Sequence, residues 1–296
     1  MTVRIAIVTD IHHGQPSTAK RGDMALPLME EFARYVDDTG ATHVLDMGDR
    51  ISDVDRETDL KLQAEVAEAF RAVKAPIWHL NGNHDRDYLS VAENEAILGQ
   101  ALGHEVQDLG GWRIVLWRAD SRIRRGDEAL VPGGQNFLLD EADLVWLART
   151  MQAADRPTLV VSHVPVSGHA QTGNYYFQNN PGSSTYPMAE RARTALSLAR
   201  VPVVCIAGHV HWNTVTTVDG ITHLTQQSLT ESFTTGGEPA GAMGMIELGE
   251  TVTWEVVGDD PFRFGFRPQA HRWTPPLPDF NSHPELRARR APANGA

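Results

Sequence analysis

Asp10 and His12, two residues apart, open a series of side chains able to hold metal ions. Asp49, the pair Asn83 and His84, His163, and the pair His209 and His211 follow in order. Carboxylate, amide oxygen and imidazole are all ligand groups. A mixture of nitrogen and oxygen donors suits Mn, Fe, Zn, Co or Ni better than Mg or Ca. One carboxylate can bridge two ions, and two ions about 3.5–4 Å apart form the clamp used in phosphoryl hydrolysis. Within Asp10-x-His12 and His209-x-His211, extended backbone would point both side chains the same way. A loop Asn-His or a Gly-Asp is by itself an ordinary turn. Five such blocks in order, each after a short apolar run, point instead to a metal site.

These blocks need rigid carriers, and the hydrophobic pattern supplies them. Val3 to Thr9 alternates and is rich in β-branched residues, which predicts a strand ending at Asp10. Met24 to Val36 has helical spacing, with Gly40 placed to stop the helix. His43 to Met47 predicts a second strand, Leu60 to Val73 a second helix, and Ala75 to Asn81 a third strand leading into Gly82-Asn83-His84-Asp85. Strand, helix, strand, helix, strand is the signature of an α/β layer with parallel pairing. Ligands in such sheets sit at the carboxyl ends of strands. Further on, Glu105 to Leu109 and Trp112 to Arg118 predict a hairpin, and Leu138 to Met151 a helix. Thr158 to Val161 predicts a strand ending before His163. Pro187 to Ala199 predicts a helix, and Val203 to Ala207 a strand ending before His209. Two more hairpins are expected across Asp219-Gly220 and Gly249-Glu250.

The chain has 296 residues, a net charge of −12 and one cysteine, Cys205. An acidic surface disfavours nucleic acid and anionic membranes, but a local metal site can dominate its own field and still attract a small phosphorylated substrate. Cys205 lies in an apolar run and reads as a buried thiol. The start lacks the features of a signal peptide, and no stretch reaches the ~20 apolar residues that span a bilayer. A soluble cytoplasmic protein is expected.

The order Asp-x-His, Gly-Asp, Gly-Asn-His-Asp, a lone His and Gly-His-x-His resembles the calcineurin-like metallophosphoesterases, over about Val3 to Val256. The resemblance implies an α/β fold, a four-layer α/β-β-α sandwich of two mixed sheets flanked by helices, with two metal ions at the strand ends. It implies that Asp10, His12, Asp49 and His211 hold one ion, that Asn83, His163 and His209 hold the other with Asp49, and that Asp49 bridges both. A metal-bridging hydroxide would attack in line, and His84 would contact the phosphate or protonate the leaving group. Within the family, Gly-Asn-His-Asp resembles the branch with cyclic-nucleotide and glycerophosphodiester phosphodiesterases. The Ser/Thr protein phosphatases usually carry Glu where Asp85 stands. A phosphodiesterase for small diesters is therefore expected. A phosphomonoesterase is the rival within the class, and a non-catalytic scaffold of the same fold is the rival outside it.

Some residues have two readings. Asp85 could orient His84 or cap a turn. Alternation points His13 away from His12, either toward the substrate rim or behind the ligands as a support for them. Arg50 and Arg86 follow ligand blocks and could meet a phosphate or form surface salt bridges. Ser167 to Tyr186 is too long for an ordinary connection, and its Tyr175, Tyr176 and Phe177 could stack a base or sugar or belong to a structural excursion that packs on the sheet. Residues 1–258 are read as the catalytic domain. Residues 259–296 are read as an aromatic arm, suggesting a homodimer or a packed extension, with a disordered tail.

Overall fold

The computed structural model describes residues 2–123, 137–168, 176–186 and 188–270. β1 (Val3–Val8), β2 (His43–Asp46) and β3 (Ile77–His79) run parallel in the first sheet. β10 (Met243–Leu248) pairs antiparallel with β1, followed by β11 (Val252–Val257) and β12 (Phe262–Phe266). The order is β12-β11-β10-β1-β2-β3. In the second sheet β5 (Trp112–Leu116), β6 (Thr158–Ser162), β7 (Val203–Ala207) and β9 (Ile221–Thr225) are parallel. β4 (Glu105–Leu109) and β8 (Thr214–Val218) close its two edges as antiparallel hairpin arms.

The alternation of side chains across each strand builds the layers. Ile5 and Ile7 of β1 enter the core between the sheets, with Leu45, Leu159, Val161, Val204, Ile206 and Trp254. Ala6 and Val8 of the same strand face outward onto Met29, Phe32, Val66 and Phe70. The first two of these belong to α1 (Ala25–Thr39), the others to α2 (Arg56–Phe70). On the other side Val115, Val160 and Cys205 pack against Leu144, Leu147 and Leu196. Those three come from α4 (Glu141–Gln152) and α5 (Ala189–Leu196). The result is helix, sheet, sheet, helix: the four-layer sandwich expected, with Cys205 buried.

Local signals explain the helix ends. α1 stops at Gly40 in the left-handed region, φ 64°, which glycine reaches without a Cβ clash. α2 begins after Asp55, whose side chain accepts from Thr58 N. The sequence reading passed over α3 (Val91–Leu98), although Ser90 and Glu93 form a capping box at its start. The helix expected from Pro187 begins with Ala189; Pro187 itself lies outside the described residues. The stretch read as an arm after Asp259 contributes β12, whose register opposite β11 runs from Phe266 at Val252 to Phe262 at Val256. Trp273 and the tail lie outside the described residues. Among the described residues no helix is long and apolar enough to cross a membrane.

Candidate metal centre

The five ligand blocks follow the carboxyl ends of β1, β2, β3, β6 and β7, three in one sheet and two in the other. All five strands emerge at one edge of the sandwich, so their loops converge. Backbone bonds fix the loops to each other. Asp10 N donates to Gly48 O at 2.9 Å and His12 N to Asp49 O at 3.0 Å. Gly208 N donates to His163 O at 3.0 Å, and His209 N to Asp10 Oδ2 at 2.9 Å.

The convergence does not come from extended backbone, which overturns the alternation argument for the spaced pairs. Asp10, His12, Asp49, His209 and His211 all have positive φ, between 48° and 67°. Such left-handed geometry is costly for a side chain with a Cβ, by roughly 1–3 kcal/mol each, and persists where the surroundings impose it. Here the bonds between loops impose it. Two glycines admit the close packing. A Cβ on Gly82 would lie 2.1 Å from Asp49 Oδ1, and one on Gly208 2.1 Å from Thr9 Oγ1.

The side chains form two adjoining groups. In the first, His211 Nε2 is 3.3 Å from Asp10 Oδ1, and His12 Nε2 is 3.8 Å from the same oxygen. His12 Nε2 and His211 Nε2 are 2.9 Å apart. In the second, His163 Nε2 is 3.3 Å from Asp49 Oδ2 and 3.4 Å from Asn83 Oδ1. Asp49, His163 and His209 offer ligand atoms within 4.8 Å of one another, as do Asp10, His12 and His211. Asp49 also joins a group with His12 and His84, so it stands between the two sets.

The donors fit two divalent ions. His209, a member of the Asp49 group, has its Nε2 bonded to Ser183 O at 2.7 Å, while its buried Nδ1 has no hydrogen-bond partner. His163 Nδ1 bonds Met47 O at 2.8 Å, and His211 Nδ1 bonds Glu231 Oε2 at 2.9 Å. Each of these rings is oriented through one nitrogen, leaving the other for an ion.

The electrostatics point the same way. Burial opposes the imidazolium of His163, but the Asp49 carboxylate outweighs it and lifts His163 to about 9. Burial likewise opposes His211, and Asp10 with Glu231 lifts it to about 9. Burial, then the charge of His163, pushes His209 down to about 4. Burial and the nearby Lys20 hold His12 well below its ordinary value. Asp49 stays well below the usual carboxylate range because the surrounding histidines outweigh its burial. Two buried carboxylates thus retain protons on neighbouring imidazoles, which is where metal ions would supply the positive charge instead.

The other predicted residues divide. Tyr176 and Phe177 line the cavity above the centre, whose volume is about 560 Å³; Tyr175 lies outside the described residues. Phe177 sits against the His209 ring at 5.3 Å. His84 lines the cavity too, with its Nδ1 on Asp53. Arg50 does not line the cavity. Its guanidinium is wholly buried, bonded to Asp46, Gln63, Asn81 and the Leu80 carbonyl, and it braces β2 against the loop after β3. His13 turns to Glu65 at 2.7 Å, away from the cavity. Arg86 bonds Leu89 O and faces a separate cleft with Arg118 and Asp120.

Asp85 is the cap rather than the orienting group. Its carboxylate accepts from Asp49 N, Arg50 N, Gly82 N and Gln63 Nε2 at 2.6–3.0 Å, tying two ligand loops together. The residue that orients His84 is Asp53, four positions after Asp49 and unread in the sequence. Glu231 and Lys20 were also missed; they lie in loops without motif and meet across an isolated bridge between two distant segments.

Comparison with known proteins agrees with this geometry. The family described as calcineurin-like phosphoesterase matches residues 3–213. A dimetal phosphatase from Danio rerio has a similar structure, with a TM-score of 0.71 at 16% identity, covering 90% of this chain and 98% of that one. A purple acid phosphatase from yellow lupin, Lupinus luteus, aligns with a TM-score of 0.63 at 14% identity over 90% of this chain. The alignment takes in 54% of the lupin chain. At such identities the likeness is one of fold. No curated protein sequence matches the chain.

Proposed function

Because the chain belongs to the calcineurin-like phosphoesterase family, a family of binuclear metal-dependent enzymes, we propose that it hydrolyses small phosphodiesters. The observation that carries the hydrolase reading is the pair of ligand groups, Asp10 with His12 and His211 and Asp49 with His163 and His209, joined through the group that His12, Asp49 and His84 form. Asp10, His12, Asp49 and His211 would hold one ion, and Asp49, Asn83, His163 and His209 the other. Two bound cations would activate water at neutral pH and offset charge on the phosphoryl oxygens.

The chain's own groups support the diester preference. Asp53, Asp87 and Glu231 line the same cavity as the metal centre. A monoester carries nearly two negative charges at neutral pH and a diester one, so this acidic lining penalises the monoester more. Ile123, Phe137, Tyr176, Phe177 and Val210 form an apolar wall able to take a second substituent, such as a nucleoside or glycerol group. His84, with Asp53 on Nδ1, would give a proton to the departing alkoxide.

A phosphomonoesterase is the second reading, favoured by Lys20, which adds a positive charge to the cavity lining. The test compares kcat/KM on bis(p-nitrophenyl) phosphate and p-nitrophenyl phosphate after reconstitution with Mn, Fe, Zn, Co or Ni. A higher value for the diester supports the proposal. A monoester preference with every metal overturns it, and absence of turnover on both leaves the fold as a scaffold.

A further inference from the structure

Lys20 stands where a loaded site cannot keep it. Its Nζ lies 3.2 Å from Nδ1 of His12. A lysine ammonium carries only donors, so this contact needs Nδ1 as acceptor. A neutral imidazole has a single N–H, and one that gives its Nε2 lone pair to an ion keeps that proton on Nδ1. With His12 serving the metal centre, donor would face donor, and the Lys20 side chain must turn away.

The backbone cannot turn with it. Ser17 N donates to Lys20 O at 2.8 Å, Arg21 N to Thr230 O at 2.8 Å, and Ser232 N to Ala19 O at 3.0 Å. A Cβ at Gly22 would lie 2.3 Å from His12 O, so the loop is packed tightly on the ligand segment. Only the flexible four-carbon stem can move. The four carboxylates whose charges act on it already have partners: Asp49 meets His163, Asp10 meets His211, Asp53 holds His84, and Glu231 holds His211. Among the described residues, Lys20 is the one Lys or Arg lining the cavity.

Resting on the phosphoesterase reading above, we propose that Lys20 binds a non-bridging phosphoryl oxygen of the substrate, freed for that role when His12 takes up an ion. Metal loading and substrate capture would then be coupled through one side chain.

The chain has three lysines, and Lys61 and Lys74 have side chains 77% and 78% exposed, so they serve as internal references. The full-length protein is acylated with an N-hydroxysuccinimide ester in three states: metal-free, Mn²⁺-loaded, and Mn²⁺-loaded with inorganic phosphate. Peptide mass analysis gives each rate. Lys20 should react slowly without metal, faster when loaded, and slowly again with phosphate. Equal rates in the three states would overturn the proposal. Calorimetry supplies a second readout. Loaded Lys20→Ala should bind inorganic phosphate about 10–100-fold more weakly than wild type, with Lys20→Arg close to wild type and metal content equal in all three. Unchanged phosphate affinity in Lys20→Ala overturns the proposal. So does loss of metal, which would make Lys20 a support for His12. Phosphate binding needs no turnover, so a wild type that binds phosphate in this way yet cleaves neither ester would sink the hydrolase reading and leave Lys20 in place.

Discussion

The Asp53 carboxylate holds Nδ1 of His84, so Nε2 is the ring nitrogen left for a molecule in the cavity. An alkoxide leaving group needs a proton as its P–O bond breaks, whereas p-nitrophenolate leaves without one. His84→Ala should therefore lose about 10²–10⁴-fold in kcat on an alkyl diester and much less on an activated aryl ester, at unchanged metal content. Asp53→Asn should show part of the same selective loss, because the ring keeps its chemistry and loses its orientation. Equal losses on both esters would assign His84 to phosphoryl charge or substrate position instead.

Asp49 groups with His163 and His209 on one side and with His12 and His84 on the other, and its Oδ1 accepts from His84 N at 2.8 Å. With the proposed ligand assignment, Asp49→Ala would remove a ligand from each ion at once. Metal content measured after reconstitution should fall from about two ions per chain to near zero. Two tightly held ions with normal turnover in this variant would contradict the arrangement.

Stability should depend on pH and metal together. His163 and His211 are raised from 6.5 to about 9 in the folded, metal-free protein. A raised histidine stabilises the fold fully below the unfolded value, near 6.5, and that contribution is lost as pH rises through about 9. Metal must displace those protons, so it binds better as pH rises. The gain in Tm on adding metal to chelator-treated protein should be smallest at pH 6 and grow toward pH 9. Thermal melts at pH 6, 7.5 and 9 check this; a gain that shrinks as pH rises would refute it.

Tyr176 and Phe177 are adjacent, and their rings meet edge to face at 5.0 Å, but their burial separates their roles. Tyr176 is 48% exposed at the cavity, while Phe177 is 8% exposed against His209. Phe177→Ala should destabilise the protein by about 3–5 kcal/mol, read from denaturant unfolding. Tyr176→Ala should leave Tm unchanged and raise KM for a natural diester more than for a small synthetic one. A fall in Tm in Tyr176→Ala as large as that in Phe177→Ala would give both rings a packing role.

The sequence by itself determined the elements and the order of the chemistry. Period-two alternation in Val3–Val8, helical spacing in Ala25–Thr39, and a ligand block after each of five strands are local patterns. Each is written within a few residues, and each is imposed by hydrogen bonding and burial that depend on neighbours along the chain. Even the missed α3 carried its local signal at Ser90 and Glu93, as did the Phe-Arg-Phe-Gly-Phe alternation of β12.

What only the tertiary structure decided is which side chains meet. His211 is held by Glu231 and His84 by Asp53, and Lys20 meets His12, across loops whose sequences carry no motif. The left-handed backbone at Asp10, His12 and Asp49 is strained locally and is held by bonds between loops, so residue preference could not announce it. Arg50 shows the reverse case. Its position beside a ligand made it look available to substrate, yet the packing of α2 and the loop after β3 encloses it. A strand end fixes where a ligand loop begins. The direction in which each side chain leaves that loop is set by loops brought from other parts of the chain, because buried donors and acceptors must find partners there.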